Sequence, residues 1–179
     1  MKLLSLIFLT GIFCAFRSAE TPSGPHFPEP PRTPNRLFYI QRSNNTNTVM
    51  YEANLRADKK LNLNDPVSVY WIRYAEKGQR ENLTALQWQL AYGYQHQDVG
   101  PAANGVEISL NAFRKRQIYV SYQDGNPVAL TQINGHKAIL QKVFVQLASN
   151  GFIPKVHYVE LFGFDDVHNK AVYERMYVK

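Results

Sequence analysis

Three arginines stand within stretches whose alternation of polar and apolar residues is typical of β-strands: Arg42, Arg73 and Arg175. A guanidinium group keeps its positive charge and donates several hydrogen bonds, so it is well suited to hold a carboxylate or a phosphate. If the three side chains pointed into one barrel, they would form an anion-binding interior. Tyrosine hydroxyls would line its walls, from Tyr39, Tyr51 and Tyr74. The alternative is that each arginine lies on the solvent face with its stem packed on neighbouring side chains.

The connection between the first two predicted strands is rich in amides and includes Asn45 and Asn47. Such side chains can bind a ligand, but they also stabilise tight turns. Trp71 lies in the most hydrophobic strand pattern, 66–74, and is either a core residue or an exposed binding residue. The predicted binding residues for a small or polymeric anionic ligand are therefore Arg42, Asn45, Asn47, Tyr51, Trp71, Arg73 and Arg175.

None of the common catalytic motifs occurs in the chain: it has no His-Glu-x-x-His, no Gly-x-Ser-x-Gly and no phosphate-binding glycine loop. We therefore predict no catalytic residue and no cofactor. A hydrolase would need two carboxylates held across one cleft, for example Glu107 with Asp98 or with Glu160. Sequence alone does not bring such a pair together.

A short acidic and imidazole cluster, Asp165, Asp166 and His168, follows His157 and Glu160. These residue types could bind zinc or calcium. The same residues also make an ordinary polar hairpin loop, and the odd spacing of His157 and Glu160 places them on opposite faces of a strand. The pattern therefore favours a loop, and we predict no metal site.

The charge balance is mildly basic, with a formal net charge of +6 for the whole chain. Loss of Lys2 and Arg17 with a leader peptide would lower it to about +4, well short of a typical nucleic-acid-binding protein. The one dense basic cluster, residues 114–116, is typical of a solvated loop. We predict no nucleic-acid partner.

The first residues have the pattern of a secretory signal peptide, with Lys2 followed by an apolar run from Leu3 to Phe16. This run is shorter than the roughly 20 residues that a helix needs to cross a bilayer. We predict cleavage after Ala19, no transmembrane segment afterwards, and a periplasmic or extracellular protein. A lipoprotein anchored at Cys14 is the alternative. Cys14 is the only cysteine, so cleavage after Ala19 would leave a mature chain with no thiol, which excludes disulfide bonds and thiolate sites.

Six of the ten prolines fall between residues 21 and 35, which favours an extended or disordered segment. The predicted organisation is a signal peptide at 1–19, a proline-rich linker at 20–36 and a single β-rich domain at 37–179.

From Leu37 onwards the dominant period is two, which indicates half-buried strands. The predicted strands cover 37–42, 48–55, 66–74, 117–123, 127–133, 136–148, 152–164 and 170–178, with Asp-Gly and Asn-Gly turns between several of them. Leucines three and four residues apart predict one helix near residues 81–92. The alternation of Leu86, Trp88, Leu90 and Tyr92 would also suit a strand, but the many Gln, Leu and Ala residues favour the helix. The predicted fold is mainly β, an antiparallel meander of about eight or nine strands closing into a barrel or a sandwich, with the barrel preferred.

Three stretches, 38–47, 66–72 and 90–94, resemble an uncharacterised family of bacterial exported proteins that is classed as a domain of unknown function. The resemblance runs from about Phe38 to Tyr177. It implies a bacterial envelope setting and brings no activity, substrate or catalytic residue with it.

The sequence thus leaves three classes of function. The preferred class is a noncatalytic envelope or periplasmic module that binds a ligand or another partner. The alternatives are a secreted carboxylate-dependent hydrolase and a structural or assembly protein of the cell envelope. Neither the identity of the ligand nor the oligomeric state follows from the sequence.

Overall fold

The architecture comes from a computed structural model, which describes residues 27–99, 105–123, 125–148 and 155–178. Eleven strands and one short helical segment occupy these ranges. The strands are β1 (Arg36–Arg42), β2 (Asn45–Ala53), β3 (Val67–Ile72), β4 (Arg80–Asn82), β5 (Tyr94–Asp98), β6 (Gly105–Leu110), β7 (Phe113–Gln123), β8 (Asn126–Ile133), β9 (His136–Leu147), β10 (Val156–Asp165) and β11 (Lys170–Tyr177). The helical segment consists of α1 (Ala85–Gln87) and a π-helical turn (Trp88–Tyr92).

Strand β9 is shared by the two halves of the sheet. Ile139 pairs with Leu130 of β8 and also with Phe164 of β10, so β8 and β10 lie on opposite edges of β9. Farther along, Val143 pairs with Ile40 of β1 in parallel. Strands β8 and β1 therefore follow one another along a single edge of β9, and the hairpin β10–β11 covers the other edge.

Two wings leave this shared strand, in the sheet order β4-β3-β2-β1-β9-β8-β7-β6-β5. The first wing comprises β1 to β4 and the second comprises β5 to β8. The sheet curls into a half-barrel, and one main apolar core draws residues from both wings and from β9–β11. The prediction of a mainly antiparallel β domain is confirmed, but the sheet does not close into the expected barrel.

Alternation along the strands decides which side chains enter that core. On β3, Val67 and Trp71 belong to the main cluster. Tyr70 and Ile72 face the other way and pack in a second, smaller cluster with Tyr39. This is the period of two that the sequence predicts, with both faces of the first wing partly covered.

Segment 27–35 covers the outer face of the first wing. The carbonyl oxygen of Pro28 accepts a hydrogen bond from Gln41 Nε2 at 2.8 Å, and the ring of Phe27 lies 5.3 Å from that of Phe144 on β9. Arg36 Nη1 donates to the carbonyl oxygen of Pro30 at 2.9 Å. Part of the predicted linker thus packs on the sheet, whereas the predicted signal peptide and Cys14 lie outside the described residues. Within the described ranges, no helix is long and apolar enough to cross a membrane.

The helical segment is shorter than the predicted helix at 81–92. Residues 80–82 form β4 instead, and the helix begins after Thr84, whose hydroxyl accepts from the backbone of Gln87 in a capping box. The segment ends at Gly93, where the chain passes close to Trp88. A Cβ atom at Gly93 would lie 2.8 Å from Cδ1 of Trp88 and closer still to its carbonyl oxygen.

The predicted strands correspond to β1, β2, β3, β7, β8, β9, β10 and β11, with ends that differ by a few residues. Asn134 and Gly135 form the predicted turn between β8 and β9, with φ of 48° and 80°. The sequence prediction missed β4, β5 and β6, and it missed the parallel pairing of β1 with β9.

Candidate functional site

The concave side of the half-barrel holds an apolar cavity of about 390 Å³. Its walls come from both wings, from β9 and β10, and from the helical segment. The lining side chains are almost all aliphatic or aromatic, and Arg42, Arg116 and Thr131 are the polar exceptions among them. Leu90 lines the cavity and is 64% exposed. The cavity is therefore an apolar space that opens to solvent beside the helical segment.

Arg42 lies at the end of β1 and brings a charge to this apolar wall. Its guanidinium carbon is 5.0 Å from the ring centre of Trp71 and 5.6 Å from that of Tyr92. Its Nε is buried and has no hydrogen-bond partner. Among the residues that the structure describes, no carboxylate lies within ion-pair distance of Arg42. This arginine is held by aromatic faces and keeps hydrogen-bonding capacity unused.

Arg73 reaches the same indole but is already neutralised. Its guanidinium carbon lies 5.2 Å from the Trp71 ring centre, and its Nε and Nη2 each donate to the Glu81 carboxylate at 2.8 Å. This bidentate bond lowers the pKa of Glu81 and raises that of Arg73. Arg73 and Arg42 therefore share Trp71, but only Arg73 has a carboxylate of its own.

Arg116, the other cationic wall residue of the cavity, is also paired. Its Nη2 donates to Glu174 Oε1 at 2.8 Å, and its Nη1 donates to the carbonyl oxygen of Gln132. The second oxygen of Glu174 accepts from the backbone of Asn134 at 2.8 Å. Arg116 thus ties β7 to β8 and to β11, and Glu174 of β11 in turn contacts the β8–β9 turn.

Two tyrosines join the helical segment to the sheet beside Arg42. The hydroxyl of Tyr51 donates to the carbonyl oxygen of Tyr92 at 2.7 Å, and its ring stacks on Phe38 with centroids 4.4 Å apart. Burial raises the pKa of Tyr51 well above its usual value. Burial also raises the pKa of Tyr92, although the nearby guanidinium of Arg42 opposes that rise. Both hydroxyls are therefore neutral at physiological pH.

The predicted amides serve turns in this structure. Asn47 is buried, and its Oδ1 accepts from the backbone of Ala75 at 2.9 Å. Asn45 Oδ1 accepts from the backbone of Asn47 at 3.0 Å. The oxygens of both side chains thus satisfy local backbone donors.

Arg175 does not join the other two arginines. Its neighbours Glu174 and Met176 point to the inner side, and Arg175 lies on the outer face of β11. Its Nε and Nη2 donate to Glu160 Oε1 at 3.0 and 2.7 Å, and the Tyr173 hydroxyl donates to the same oxygen at 2.6 Å. The structure therefore brings Arg42, Tyr51, Trp71 and Arg73 together and leaves Arg175 in a separate network.

The structure also separates some of the residues considered for metal binding. Asp165 and His168 lie together, but the third neighbour is His136 at the start of β9. Glu160 is occupied by Arg175, and His157 contacts the rings of Tyr158 and Tyr177. The hydrolase alternative would need Glu107 and Glu160 across one cleft. Glu107 lies on β6 and accepts from Gln97 Nε2 at 3.0 Å, whereas Glu160 lies on β10, and these two strands do not pair.

A family model for a domain of unknown function (DUF4833) matches residues 38–175. The chain belongs to this family. The match begins within β1 and ends within β11, so the half-barrel and its cavity lie almost entirely inside the DUF4833 domain. Comparisons with curated proteins and with solved structures gave no match.

Sequence reasoning on this DUF4833 chain missed the apolar walls of the cavity. Leu90, Val145 and Leu147 line it, but their pattern is the same as that of ordinary core residues. Arg116 was interpreted only as part of a solvated basic loop. The usable signal for Arg42 is its position inside a strand pattern rather than in a turn, which made it one of the predicted binding residues.

Proposed function

We propose that this domain is a noncatalytic binding module for an amphiphilic ligand with one anionic group. The apolar part of the ligand would occupy the half-barrel cavity, and the carboxylate or phosphate would contact Arg42. The observation that carries the proposal is the buried, unpartnered Nε of Arg42 in the wall of an apolar cavity. This proposal names a smaller class of ligands than the small or polymeric anions that the sequence suggests.

The shape of the cavity supports an apolar body for the ligand. Its volume of about 390 Å³ falls within the usual range for small-molecule sites. Its walls offer few hydrogen-bonding groups, so a sugar or a polar peptide would lose its hydration there without replacement. A hydrocarbon chain loses no hydrogen bonds on entry and is favoured by burial.

The charge distribution supports an anionic group at one position. Arg73 and Arg116 have carboxylate partners, whereas Arg42 has no ion pair in the described ranges. Its guanidinium contacts the rings of Trp71 and Tyr92 and lies close to the Tyr92 hydroxyl, and its Nε stays without a hydrogen-bond partner. An unsatisfied buried donor is costly, and an anion that accepts from it would remove that cost. The binding mode therefore predicts a strong preference for an anion over a neutral molecule of equal length.

The test compares dodecanoate with dodecanol in displacing the neutral fluorescent probe N-phenyl-1-naphthylamine from delipidated protein. We expect dodecanoate to bind at least about tenfold more tightly, the effect of one charge-assisted hydrogen bond. In Arg42→Met this preference should disappear, with dodecanol affinity little changed. Arg73→Met is the matched control, because it removes a neighbouring arginine that is already paired, and it should keep the preference.

A second variant tests the cavity itself. Val145→Trp places a large ring on the wall next to Arg42 and should weaken both ligands. Circular dichroism would establish that each variant is folded. Equal loss in Arg42→Met and Arg73→Met, or no displacement by either ligand from wild-type protein, would overturn the proposal.

We further propose that the protein acts outside the cytoplasm, as a periplasmic or extracellular protein. The support is the signal-peptide pattern of the first 19 residues. Mass spectrometry of the protein recovered from the periplasm of a bacterial host would give the mature N-terminus. A start at Glu20 fits the proposal, and a lipidated Cys14 would favour a membrane-anchored form.

A further inference from the structure

A cluster of two histidines and one aspartate lies beside the first residue of β9, within the described part of the chain. His136 is the first residue of β9, Asp165 is the last residue of β10, and His168 lies in the turn between β10 and β11. The two turns are neighbours because β9 and β10 are antiparallel partners. The bond from the Asn134 backbone to Glu174 of β11 fixes the β8–β9 turn against this hairpin.

The donor atoms of the cluster converge. Nδ1 of His136 lies 3.1 Å from Asp165 Oδ2, and Nδ1 of His168 lies 2.8 Å from the same oxygen. One nitrogen of each imidazole and one carboxylate oxygen all lie within 4.8 Å of one another. Donors on one tetrahedral zinc ion lie about 3.4 Å apart, so a spread of up to 4.8 Å would have to tighten on binding, through rotation of an imidazole.

The carboxylate is fixed in position and buried. Asp165 is 2% exposed, and its other oxygen, Oδ1, accepts from the backbone of His168 at 3.0 Å. That bond leaves Oδ2 directed between the two imidazoles, in the way that an outer hydrogen bond orients a metal ligand. No lysine or arginine in the described ranges forms an ion pair with Asp165. The two imidazoles are therefore the side chains that contact Oδ2 of this carboxylate in the described ranges, and a cation held between them would neutralise its charge.

We propose that His136, Asp165 and His168 bind a divalent transition-metal ion, with zinc as the best fit. Two imidazoles and one carboxylate are a common ligand set for zinc and for iron(II), whereas calcium needs six to eight oxygen ligands. His168 is 62% exposed at its side chain, so solvent reaches the cluster and water can complete the coordination. The site is independent of the cavity and of Arg42, and it does not rest on the proposed ligand.

The same contacts also fit a purely hydrogen-bonded cluster, in which each imidazole donates to the carboxylate and no metal binds. The two possibilities differ in a direct measurement, titration of zinc into chelator-treated protein without a histidine tag. We expect a stoichiometry of one zinc per chain and a rise in the melting temperature with zinc concentration. Cobalt(II) in place of zinc should give visible absorption bands of a low-symmetry site.

Three variants test the assignment. His136→Ala and His168→Ala should each weaken zinc binding at least about a hundredfold, because each removes one of three protein ligands. His96→Ala is the matched control, since His96 is an exposed histidine on β5 outside the cluster, and it should leave the affinity unchanged. If His136→Ala fails to fold, the exposed His168 still gives a usable variant.

The proposal is overturned if wild-type protein binds zinc no more tightly than the His168→Ala variant does. It is also overturned if His96→Ala weakens binding as much as His168→Ala, because the metal would then bind at dispersed surface histidines. Absence of any zinc-dependent change in melting temperature would leave the hydrogen-bonded cluster as the correct description.

Discussion

The guanidinium of Arg42 and the indole of Trp71 lie against each other with 5.0 Å between the guanidinium carbon and the ring centre, although β2 separates their strands. Arg73 lies 5.2 Å from the same ring. One tryptophan thus positions two arginines, of which one is paired with a carboxylate and one is not. Both arginines lie within predicted strands, and this difference in pairing is the reason for assigning ligand binding to Arg42 and not to Arg73.

The first prediction concerns stability at these two arginines. In Arg42→Met the free energy of unfolding should stay within about 1 kcal/mol of the wild-type value, because the lost cation–π contacts are offset by removal of an unsatisfied buried donor. Arg73→Met should lower it, since the Glu81 carboxylate loses its bidentate partner. Urea denaturation of both variants measures the difference. A larger loss in Arg42→Met than in Arg73→Met would mean that Arg42 is mainly a structural residue.

The second prediction concerns Trp71 itself. This side chain is 1% exposed, and its Nε1 donates to Gln87 Oε1 at 3.2 Å. Trp71→Ala should therefore cost on the order of 3 to 5 kcal/mol of unfolding free energy through the cavity that it leaves. Trp88→Ala is the comparison, because Trp88 is 37% exposed, and it should cost clearly less. Denaturant titrations should rank the two variants in this order, and a cost under about 1 kcal/mol for Trp71→Ala would mean that the core is not packed as described.

The third prediction concerns the end of the helical segment. Gly93→Ala should lower the unfolding free energy by about 1 to 3 kcal/mol, because the new methyl group meets the Trp88 backbone and ring. Gln89→Ala, at an exposed position of the same segment, should have little effect. Thermal unfolding followed by circular dichroism compares them. Equal melting temperatures for Gly93→Ala and wild type would show that this turn can move away from the indole.

The fourth prediction concerns alkaline pH. Burial raises the pKa of Tyr94 to about 12 from an ordinary value of 10.0. Because the folded state favours the neutral phenol, its contribution to stability is fully present below pH 10 and is lost as the pH rises towards 12. The backbone of Val67 donates to the same hydroxyl at 3.1 Å, which opposes the rise in pKa without cancelling it. Tyr94→Phe lacks this titration, so the stability difference between wild type and Tyr94→Phe should shift against the wild type over that range.

Unfolding free energies measured in urea at several pH values between 9 and 12 test this prediction. Burial also raises the pKa of Tyr70 to about 12, so the wild type alone would show the titration of both tyrosines. The comparison with Tyr94→Phe isolates the contribution of Tyr94. Parallel pH profiles for the two proteins would contradict the assignment of a raised pKa to Tyr94.

Local signals predicted much of the second half of the sheet. The Asn134-Gly135 pair identifies the β8–β9 turn because both residues readily adopt positive φ, and the alternation around it identifies the two strands. Strand β5 was missed because its sequence, Tyr-Gln-His-Gln-Asp, is polar and gains its order from pairing with β6. The helix at 81–92 was predicted too long because residues 80–82 pair with β3, a tertiary contact that outweighs helix propensity.

The candidate sites depended on contacts that no local pattern contains. Arg42 and Arg73 have similar surroundings in the sequence, and only the pairing of β3 with β4 gives Glu81 to Arg73. His136 and Asp165 are 29 positions apart, and the antiparallel pairing of β9 with β10 brings them together. The residue types with useful chemistry were visible in the sequence, but their partners were set by topology.

The shared strand β9 also sets an order of events for folding. Strand β1 pairs with residues about 100 positions later in the chain. During synthesis this contact can form only after β9 has been made. Hairpins such as β1–β2 and β7–β8 can form early because their contacts are local, whereas closure of the half-barrel waits for β9. Until then β1 presents an open edge that other chains could pair with. The interval before β9 pairs with β1 is therefore the period in which this chain is most exposed to aggregation.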